Sequence, residues 1–308
     1  MIGQLGDEAL DALAGIAIGG LVFMFVSIVL SGVVLGVSAV VSQATGAGDE
    51  QTSGRAVRQG FWLAGIMWIP AMLLFWNINP VLIWFQQPES AALAGSQYLR
   101  AISWGLLPAL AAFALRGMLE GKSNTRPIMF IFAFGILVNV MANYVLMFGK
   151  LGFPALGLVG TGYASSFALT VNFVLLAIYA SRTYPQLEIF SKLRSPDGEM
   201  MRELLRVGGP IGMTLAFEVS MFSAAGLGMG VLGKVQLAAH QIALQTASVS
   251  FMVPLGIAIA ASVRVGQKIG AKKKEEARLA GYTGILSCAA VMSFFAIMFW
   301  CFPRTIIG

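Results

Sequence analysis

The sequence predicts an all-α polytopic membrane protein with about eight transmembrane helices. Its composition is the first reason, because 57% of the residues are hydrophobic, 11% are charged and the mean hydropathy is +0.80. A water-soluble protein of this composition would have too few polar groups for its surface. The second reason is a series of apolar runs long enough to cross a hydrocarbon core of ~30 Å as helices. The third is an internal repeat, which is typical of transporters built from two related bundles.

The apolar runs define eight predicted helices in chain order. They cover residues 10–41, 56–76, 98–119, 128–148, 158–180, 204–232, 237–265 and 279–301. The first run is longer than a perpendicular crossing requires, so we expect it to tilt or to extend beyond the bilayer. Glycine, proline and asparagine mark most separators and predict turns at 46–48, 77–88, 122–127, 149–157 and 185–198.

The basic residues indicate how these helices are oriented. Cytoplasmic loops carry the excess of Lys and Arg, and sixteen of the twenty basic residues fall in loops on one side of the eight-helix arrangement. The other four are Arg100, Lys150, Lys234 and Arg304. Both chain ends are therefore expected on the periplasmic side. The basic residues are scattered between apolar runs and do not form one stripe with aromatic residues, which disfavours a nucleic-acid partner.

Two copies of one pattern predict that the chain is built from two lobes. Leu5-Gly6 opens an apolar run that closes at Gln43–Gly46, and Leu232-Gly233 opens one that closes at Gln267–Gly270. The copies begin six predicted helices apart, and an even number of crossings gives them the same orientation, which makes a parallel repeat. If each unit has six helices, we expect an N-terminal lobe at 1–185 that lacks its first helix. A cytoplasmic linker at 186–199 and the first three helices of a C-terminal lobe at 200–308 should follow. The two glutamines are expected to cap the cytoplasmic ends of their helices.

Several short motifs run in order along the chain. They are Gly3–Leu10, Gln43–Asp49, Arg116–Gly121, Asn139–Asn143, Gly152–Gly162, Ala238–Ile242 and Phe251–Gly256. Each is weak alone, but their order and spacing resemble those of MATE (multidrug and toxic compound extrusion) exporters, most closely the NorM-type branch. The resemblance implies a twelve-helix, two-lobe fold, of which this chain is a partial form whose partners include the missing helices. It also implies secondary active efflux, in which Na⁺ or H⁺ is exchanged for small organic cations across the bacterial inner membrane.

One acid lies in the middle of a predicted helix. Glu218 is flanked by apolar residues, whereas the other thirteen acids fall in loops or near helix ends. A carboxylate near the bilayer midplane costs ~3 kcal/mol and persists mainly beside a polar cavity or partner. Such a group can exchange a proton, or when ionised can hold Na⁺ with neighbouring oxygens. A hydrogen bond that only locks helices together is the alternative. The resemblance implies an ion-coupling role for Glu218.

Further polar residues are candidates for a cavity. Asn139 and Asn143 are one helical turn apart and share a face, where they either line a cavity or bond to a neighbouring helix. Some MATE branches resemble this pair but have Asp at the second position, where it takes part in proton coupling, and the Asn at 143 departs from that version. His240, the only histidine, begins a predicted helix on the outer side. It is a candidate for a proton relay, with a local hydrogen bond as the alternative.

The sixth predicted helix contains a candidate hinge at Gly208, Gly209 and Pro210, about two turns before Glu218. No cofactor, metal cluster or disulfide is expected beyond the coupling ion. A membrane-embedded enzyme would need paired intramembrane acids, a histidine cluster or a nucleophile with its base, and the sequence offers none of these. Two further alternatives to an antiporter stay open at this stage: a non-transporting fragment and a flippase for lipid-linked substrates.

Overall fold

A computed structural model describes residues 9–150, 152, 154–193 and 196–302, and every regular element within these ranges is helical. The helices are α1 (Ala9–Val34), α2 (Gly36–Ala47), α3 (Glu50–Trp76), α4 (Ile78–Trp84), α5 (Glu89–Gly121), α6 (Arg126–Phe148), α7 (Gly157–Thr183), α8 (Gly198–Leu232), α9 (Lys234–Gly270) and α10 (Lys274–Cys301). A short 3-10 turn covers Pro185–Leu187. Most of the Gly3–Leu10 motif lies outside the described residues. The two chain ends, which are predicted to be periplasmic, also lie outside them.

Most helices begin or end at the predicted separators, where glycine residues end helices and aspartate caps them. Gly48 and Gly149 follow α2 and α6 with φ of 72° and 65°, a left-handed backbone that favours glycine. Asp49 accepts a hydrogen bond from Thr52 N at 2.9 Å and caps α3. The predicted separator at 77–88 does divide α3 from α5, but it contains the short helix α4, which the sequence did not predict. Ile78 and Leu82, one turn apart on α4, are both buried in the core.

Within the described residues, seven helical segments are long and apolar enough to cross a membrane. They are Leu13–Ala47, Glu50–Trp76, Glu89–Gly121, Arg126–Phe148, Gly157–Thr183, Val235–Gly270 and Lys274–Cys301. The first joins α1 and α2 and is 35 residues long, as expected for a helix that tilts or extends beyond the bilayer. The sixth predicted span forms α8, which is not one of these seven segments. The chain is therefore an all-helical, multi-pass membrane protein.

Helix α5 forms the centre of the N-terminal lobe and packs against α1, α2, α3 and α7. Small residues allow α5 and α7 to approach closely. At one such point Gly105 N donates a hydrogen bond to Ser166 Oγ at 3.1 Å, and Ser166 Oγ donates to Ala101 O at 2.9 Å. The contact between α5 and α7 thus combines close packing of small residues with hydrogen bonds that satisfy the Ser166 hydroxyl.

The predicted linker is held tightly to α3. The guanidinium of Arg58 is buried and donates from Nη1 to Leu187 O at 2.9 Å and to Glu188 O at 3.2 Å. Arg55 Nε donates to Asp197 Oδ2 at 2.9 Å, and Asp197 also caps α8. The hydrogen bond from Arg55 is the largest cause that lowers the pKa of Asp197 below its ordinary value. These bonds fix the start of α8 relative to the first lobe.

Helices α8, α9 and α10 follow the linker and pack on one another in chain order. They meet the first lobe through α1 and α2, which contact α8 and α9. Glycines lie at these contacts: Cβ atoms added to Gly36 and Gly212 would lie 2.8 Å from Leu204 O and from Val29 O. The main contacts between the two groups of helices therefore depend on the absence of side chains.

Candidate functional site

The site is built around Glu218 on α8. Its side chain is half-buried, and among the described residues it has no hydrogen-bond or ion-pair partner. Other acids of the described chain are in ion pairs, namely Glu50, Glu120, Glu188, Asp197, Glu275 and Glu276. Glu218 therefore differs from these acids in both its position within a helix and its lack of a counterion.

The position of Glu218 is fixed by the packing of α8 on α1. The two helices run antiparallel, because Gly208 packs against Val33 and Gly212 packs against Val29. Continuing this register places Glu218 within about one helical turn of the level of Ser27. Ser27 Oγ is buried and has no hydrogen-bond partner among the described residues. Two polar side chains without partners thus lie at a similar depth, one in each lobe.

A cavity of about 280 Å³ lies within the first lobe. It is lined by Ile16, Tyr98, Val140, Asn143, Met147, Thr161 and Ser165. The lining combines an aromatic ring and a thioether with hydroxyl and amide groups, a mixture suited to an organic molecule with a polar or cationic group.

The predicted asparagine pair borders this cavity. Asn143 Nδ2 donates to Asn139 O at 2.9 Å and to Asn139 Oδ1 at 3.0 Å, and Asn139 Nδ2 donates to Ser165 Oγ at 3.3 Å. Asn143 lines the cavity, while Asn139 supports it from the same helix face. The sequence analysis did not select Tyr98, Thr161 or Ser165. The four-residue spacing of Thr161 and Ser165 on one face of α7 is the signal that would have found the last two.

The structure does not bring the remaining predicted residues into this cavity. His240 lies on α9, is half-buried, and its Nε2 atom is buried with no partner among the described residues. Gly208, Gly209 and Pro210 lie within α8, which continues as a helix through all three. No group of three or more His, Cys, Asp or Glu side chains in the described part of the chain could hold a metal ion. A bound Na⁺ at Glu218 would need backbone or hydroxyl oxygens to complete its shell.

A second cavity, of about 290 Å³, lies between α9 and α10 and was not predicted. Its lining is Gln245, Thr246, Val249, Ser250, Phe295, Met298 and Phe299. The polar groups come from α9 and the aromatic and thioether groups from α10. The spacing of Gln245, Thr246 and Ser250 places them near one face of α9, which is the signal that sequence analysis overlooked.

The expectation that Gln267 caps its own helix is wrong. Its Nε2 atom donates to Gly121 O at 2.9 Å and to Ser123 Oγ at 3.0 Å, both at the end of α5 in the first lobe. Because α9 continues to Gly270, the side chain projects sideways from the helix and does not reach the helix's own terminal groups.

A family model described as MatE matches residues 1–145 and 210–308. A probable multidrug resistance protein NorM from Synechocystis sp. is 39% identical over 313 residues, which cover 100% of this chain and 67% of that protein. A protein of the same name from Pseudomonas aeruginosa is 39% identical over 311 residues, with coverage of 100% and 63%. The multidrug resistance protein MdtK of Yersinia pseudotuberculosis is 34% identical over 300 residues, with coverage of 96% and 66%. The chain thus spans about two thirds of the length of these relatives.

Solved structures share the fold. The crystal structure of a MATE protein in its bent conformation matches with a TM-score of 0.87 and 19% identity, covering 99% of this chain and 67% of that one. A eukaryotic MATE transporter matches with a TM-score of 0.82 and 22% identity, covering 98% and 66%. The predicted all-helical partial fold is therefore confirmed. The chain belongs to the MATE family, whose members are membrane transporters and not enzymes.

Proposed function

We propose that this protein acts in multidrug efflux as a secondary antiporter, which exchanges Na⁺ or H⁺ for small organic cations across the bacterial inner membrane. The observation that carries the proposal is the state of Glu218, a half-buried carboxyl group in α8 without a partner among the described residues. A group without a fixed counterion can gain and lose a coupling ion, whereas a carboxylate in a permanent ion pair is already neutralised.

The cavity in the first lobe supports organic cations as the transported class. Tyr98 presents a ring and Met147 a thioether, and Asn143 offers a carbonyl oxygen because its amide nitrogen is occupied by Asn139. Rings and amide oxygens attract a cationic group, while the apolar lining accepts variable hydrocarbon parts. The NorM and MdtK names of the bacterial relatives agree with this class of function.

The proposal includes a topology and a division into lobes. The N-terminal lobe, 1–185, and the C-terminal lobe, 200–308, are joined by a cytoplasmic linker at 186–199, and both chain ends are periplasmic. The excess of basic residues on one side supports this orientation. The hinge proposed at Gly208, Gly209 and Pro210 would lie within the contact between α8 and α1, where Gly208 meets Val33 and Gly212 meets Val29.

A transport assay in inverted inner-membrane vesicles tests the proposal. The chain is expressed in cells deficient in efflux, and ethidium movement is followed after a Na⁺ or H⁺ gradient is imposed. We expect Glu218→Gln to abolish gradient-driven movement while membrane insertion is retained. Glu203→Gln is the matched control, because Glu203 is an exposed acid near the start of the same helix. Unchanged efflux in Glu218→Gln would remove that residue from the mechanism. Absence of efflux with the unsubstituted chain would instead favour a non-transporting fragment.

A further inference from the structure

The turn between α9 and α10 has the same backbone as the turn between α2 and α3. In the internal repeat Lys272 occupies the position of Gly48, and both have a left-handed backbone, with φ of 59° and 72°. Each turn is closed by the same two backbone hydrogen bonds, from Gly48 N to Thr45 O and Asp49 N to Ala44 O in the first, and from Lys272 N to Ile269 O and Lys273 N to Lys268 O in the second. The fold thus needs this backbone in both lobes but does not dictate the side chains on it.

The side chains of the two turns carry opposite charges. Gly48–Glu50 of the first turn corresponds to Lys272–Lys274 of the second, so a glycine and two acids are exchanged for three lysines. Local stability favours the first version. A lysine is strained in a left-handed backbone, and a cation at the first residue of a helix, as Lys274 is in α10, opposes the helix dipole. A property other than folding is needed to account for the three lysines.

This turn also has the largest excess of positive charge among the basic segments on its side of the membrane. Residues 49–58 have a net charge of zero, residues 116–126 of +2 and residues 182–206 of +1. Residues 264–278 contain six basic residues and two acids, which gives a net charge of +4. The positive charge is therefore concentrated at the turn between α9 and α10.

Ion pairs do not neutralise this segment. Glu276 is shared by two lysines, and Glu275 Oε1 lies 3.7 Å from Arg278 Nη1, near the outer limit of an ion pair. The Arg278 side chain remains 67% exposed, and exposed pairs of this kind bind weakly. In the described part of the chain, no hydrogen bond or ion pair involves the side chain of Lys274. Both cations are thus available to an anionic ligand.

These two cations begin a face of α10 that becomes apolar along the helix. Four exposed residues follow one another on this face at intervals of four, four and three positions: Lys274, Arg278, Tyr282 and Ile285. Over about 16 Å the face passes from two cations, through a phenol, to a branched alkyl group. A phospholipid has the same order of groups, from its phosphate through the glycerol backbone to an acyl chain.

We propose that this face of α10 binds an anionic phospholipid from the leaflet on the basic side of the membrane. The phosphate lies between Lys274 and Arg278, the Tyr282 ring lies at the level of the glycerol backbone, and an acyl chain packs along Ile285. The exposed apolar part of the face favours a lipid over a soluble phosphate, which would use only the cations. Binding requires no transport, so it goes beyond the proposed antiport function and does not depend on it.

Quenching of a fluorophore on α10 by brominated lipids tests the site. Cys288→Ser and Cys301→Ser remove the native thiols, and a bimane is attached at Leu286→Cys, an exposed position next to Ile285. The chain is placed in phosphatidylcholine vesicles that contain a small fraction of phosphatidylglycerol or phosphatidylcholine with brominated acyl chains. The ratio of the two association constants gives the preference for the anionic lipid.

We expect phosphatidylglycerol to be preferred by about tenfold or more. Lys274→Gln and Arg278→Gln should each lower the preference by about threefold to fivefold, the effect of one cation at a membrane surface. The combined change Lys272→Gly, Lys273→Asp and Lys274→Glu gives the second turn the residues of the first. It should abolish the preference, because it inverts the charge of the turn and keeps a backbone that the first lobe already forms.

The matched control combines Arg202→Gln with Arg206→Gln, which removes two exposed cations four positions apart on α8 and should keep the preference. Equal quenching by brominated phosphatidylcholine in every variant confirms insertion. An unsubstituted chain without a preference, or a triple variant that keeps it, would overturn the site. An equal loss in the control would overturn it as well, because the preference would then reflect only the total charge of the protein. Displacement of the lipid by inorganic phosphate at constant ionic strength would also overturn it, since the ligand would then be a soluble anion.

Discussion

The hydrogen bonds from Arg58 to the linker predict how much the linker should be destabilised when Arg58 is replaced. The change is Arg58→Met, which keeps an unbranched apolar stem but removes the donors to Leu187 O and Glu188 O. The bond at 2.9 Å has good length, and the one at 3.2 Å is weaker. Hydrogen bonds from charged groups contribute about 1.5–3 kcal/mol, and we count the pair as one such bond because the freed carbonyls can bond to water.

This loss should appear as local opening of the linker. Each 1.4 kcal/mol changes an equilibrium by about tenfold, so the open fraction should rise by about tenfold to a hundredfold. Trypsin is the assay, because the Lys192 side chain is 63% exposed and cleavage requires the surrounding segment to leave α3. When opening is fast relative to cleavage, the rate follows the open population.

A matched control separates this effect from the loss of any cation. Arg126→Met removes an exposed arginine that has no hydrogen-bond or ion-pair partner among the described residues, so cleavage after Lys192 should keep its original rate. A rate in Arg58→Met within about threefold of the unsubstituted protein would refute the reasoning, because it would correspond to less than 1 kcal/mol. Buried Leu187 would then be the main anchor of the linker.

Two further predictions concern stability. Because Arg55 lowers the pKa of Asp197 in the folded state, the contribution of the ion pair is complete above the ordinary aspartate value of 3.8 and is lost as the pH falls through the lowered pKa. The melting temperature of Asp197→Asn in detergent should thus lie below that of the unsubstituted protein at neutral pH, and this difference should shrink below about pH 4; a constant difference would contradict the assignment. Gly105→Ala places a Cβ 2.6 Å from Ser166 Cα and should lower the free energy of unfolding by about 1–3 kcal/mol. Gly65→Ala adds a Cβ that meets nothing within 4 Å, so it should leave the free energy of unfolding unchanged or raise it. If an SDS titration gave both variants the same free energy of unfolding, the close packing of Gly105 against Ser166 would be contradicted.

Much of the candidate site could be predicted from the sequence because an acid within an apolar helix is costly. The isolation of Glu218 follows from its flanking residues, and the structure shows the same residue without a partner in the described chain. The one-turn spacing of Asn139 and Asn143 also predicted their shared face, which the hydrogen bonds between them confirm. These predictions needed only helical geometry and the cost of polarity in lipid.

Which face of each helix packs against a neighbouring helix could not be predicted in the same way. In a soluble protein the polar face of a helix reveals its orientation, but here both lipid and neighbouring helices accept apolar side chains. Gly208 and Gly209 are adjacent in the sequence, yet an added Cβ overlaps Val33 O at the first and meets open space at the second. Gln267 is a further case, since its bonds to the end of α5 depend on a residue that lies more than a hundred positions away.

The sequence by itself determined that the chain lies in lipid, where its helices form, which loops carry the excess of basic residues and which family the chain resembles. Each of these properties depends on local composition, spacing or motif order. Only the tertiary structure decided which glycines lie between the lobes, where the linker is anchored and which polar groups line a cavity. The physical reason is that these properties depend on the rotation of each helix about its own axis. In lipid, that rotation is set by close packing and a few hydrogen bonds, and hydrophobic periodicity carries little information about either.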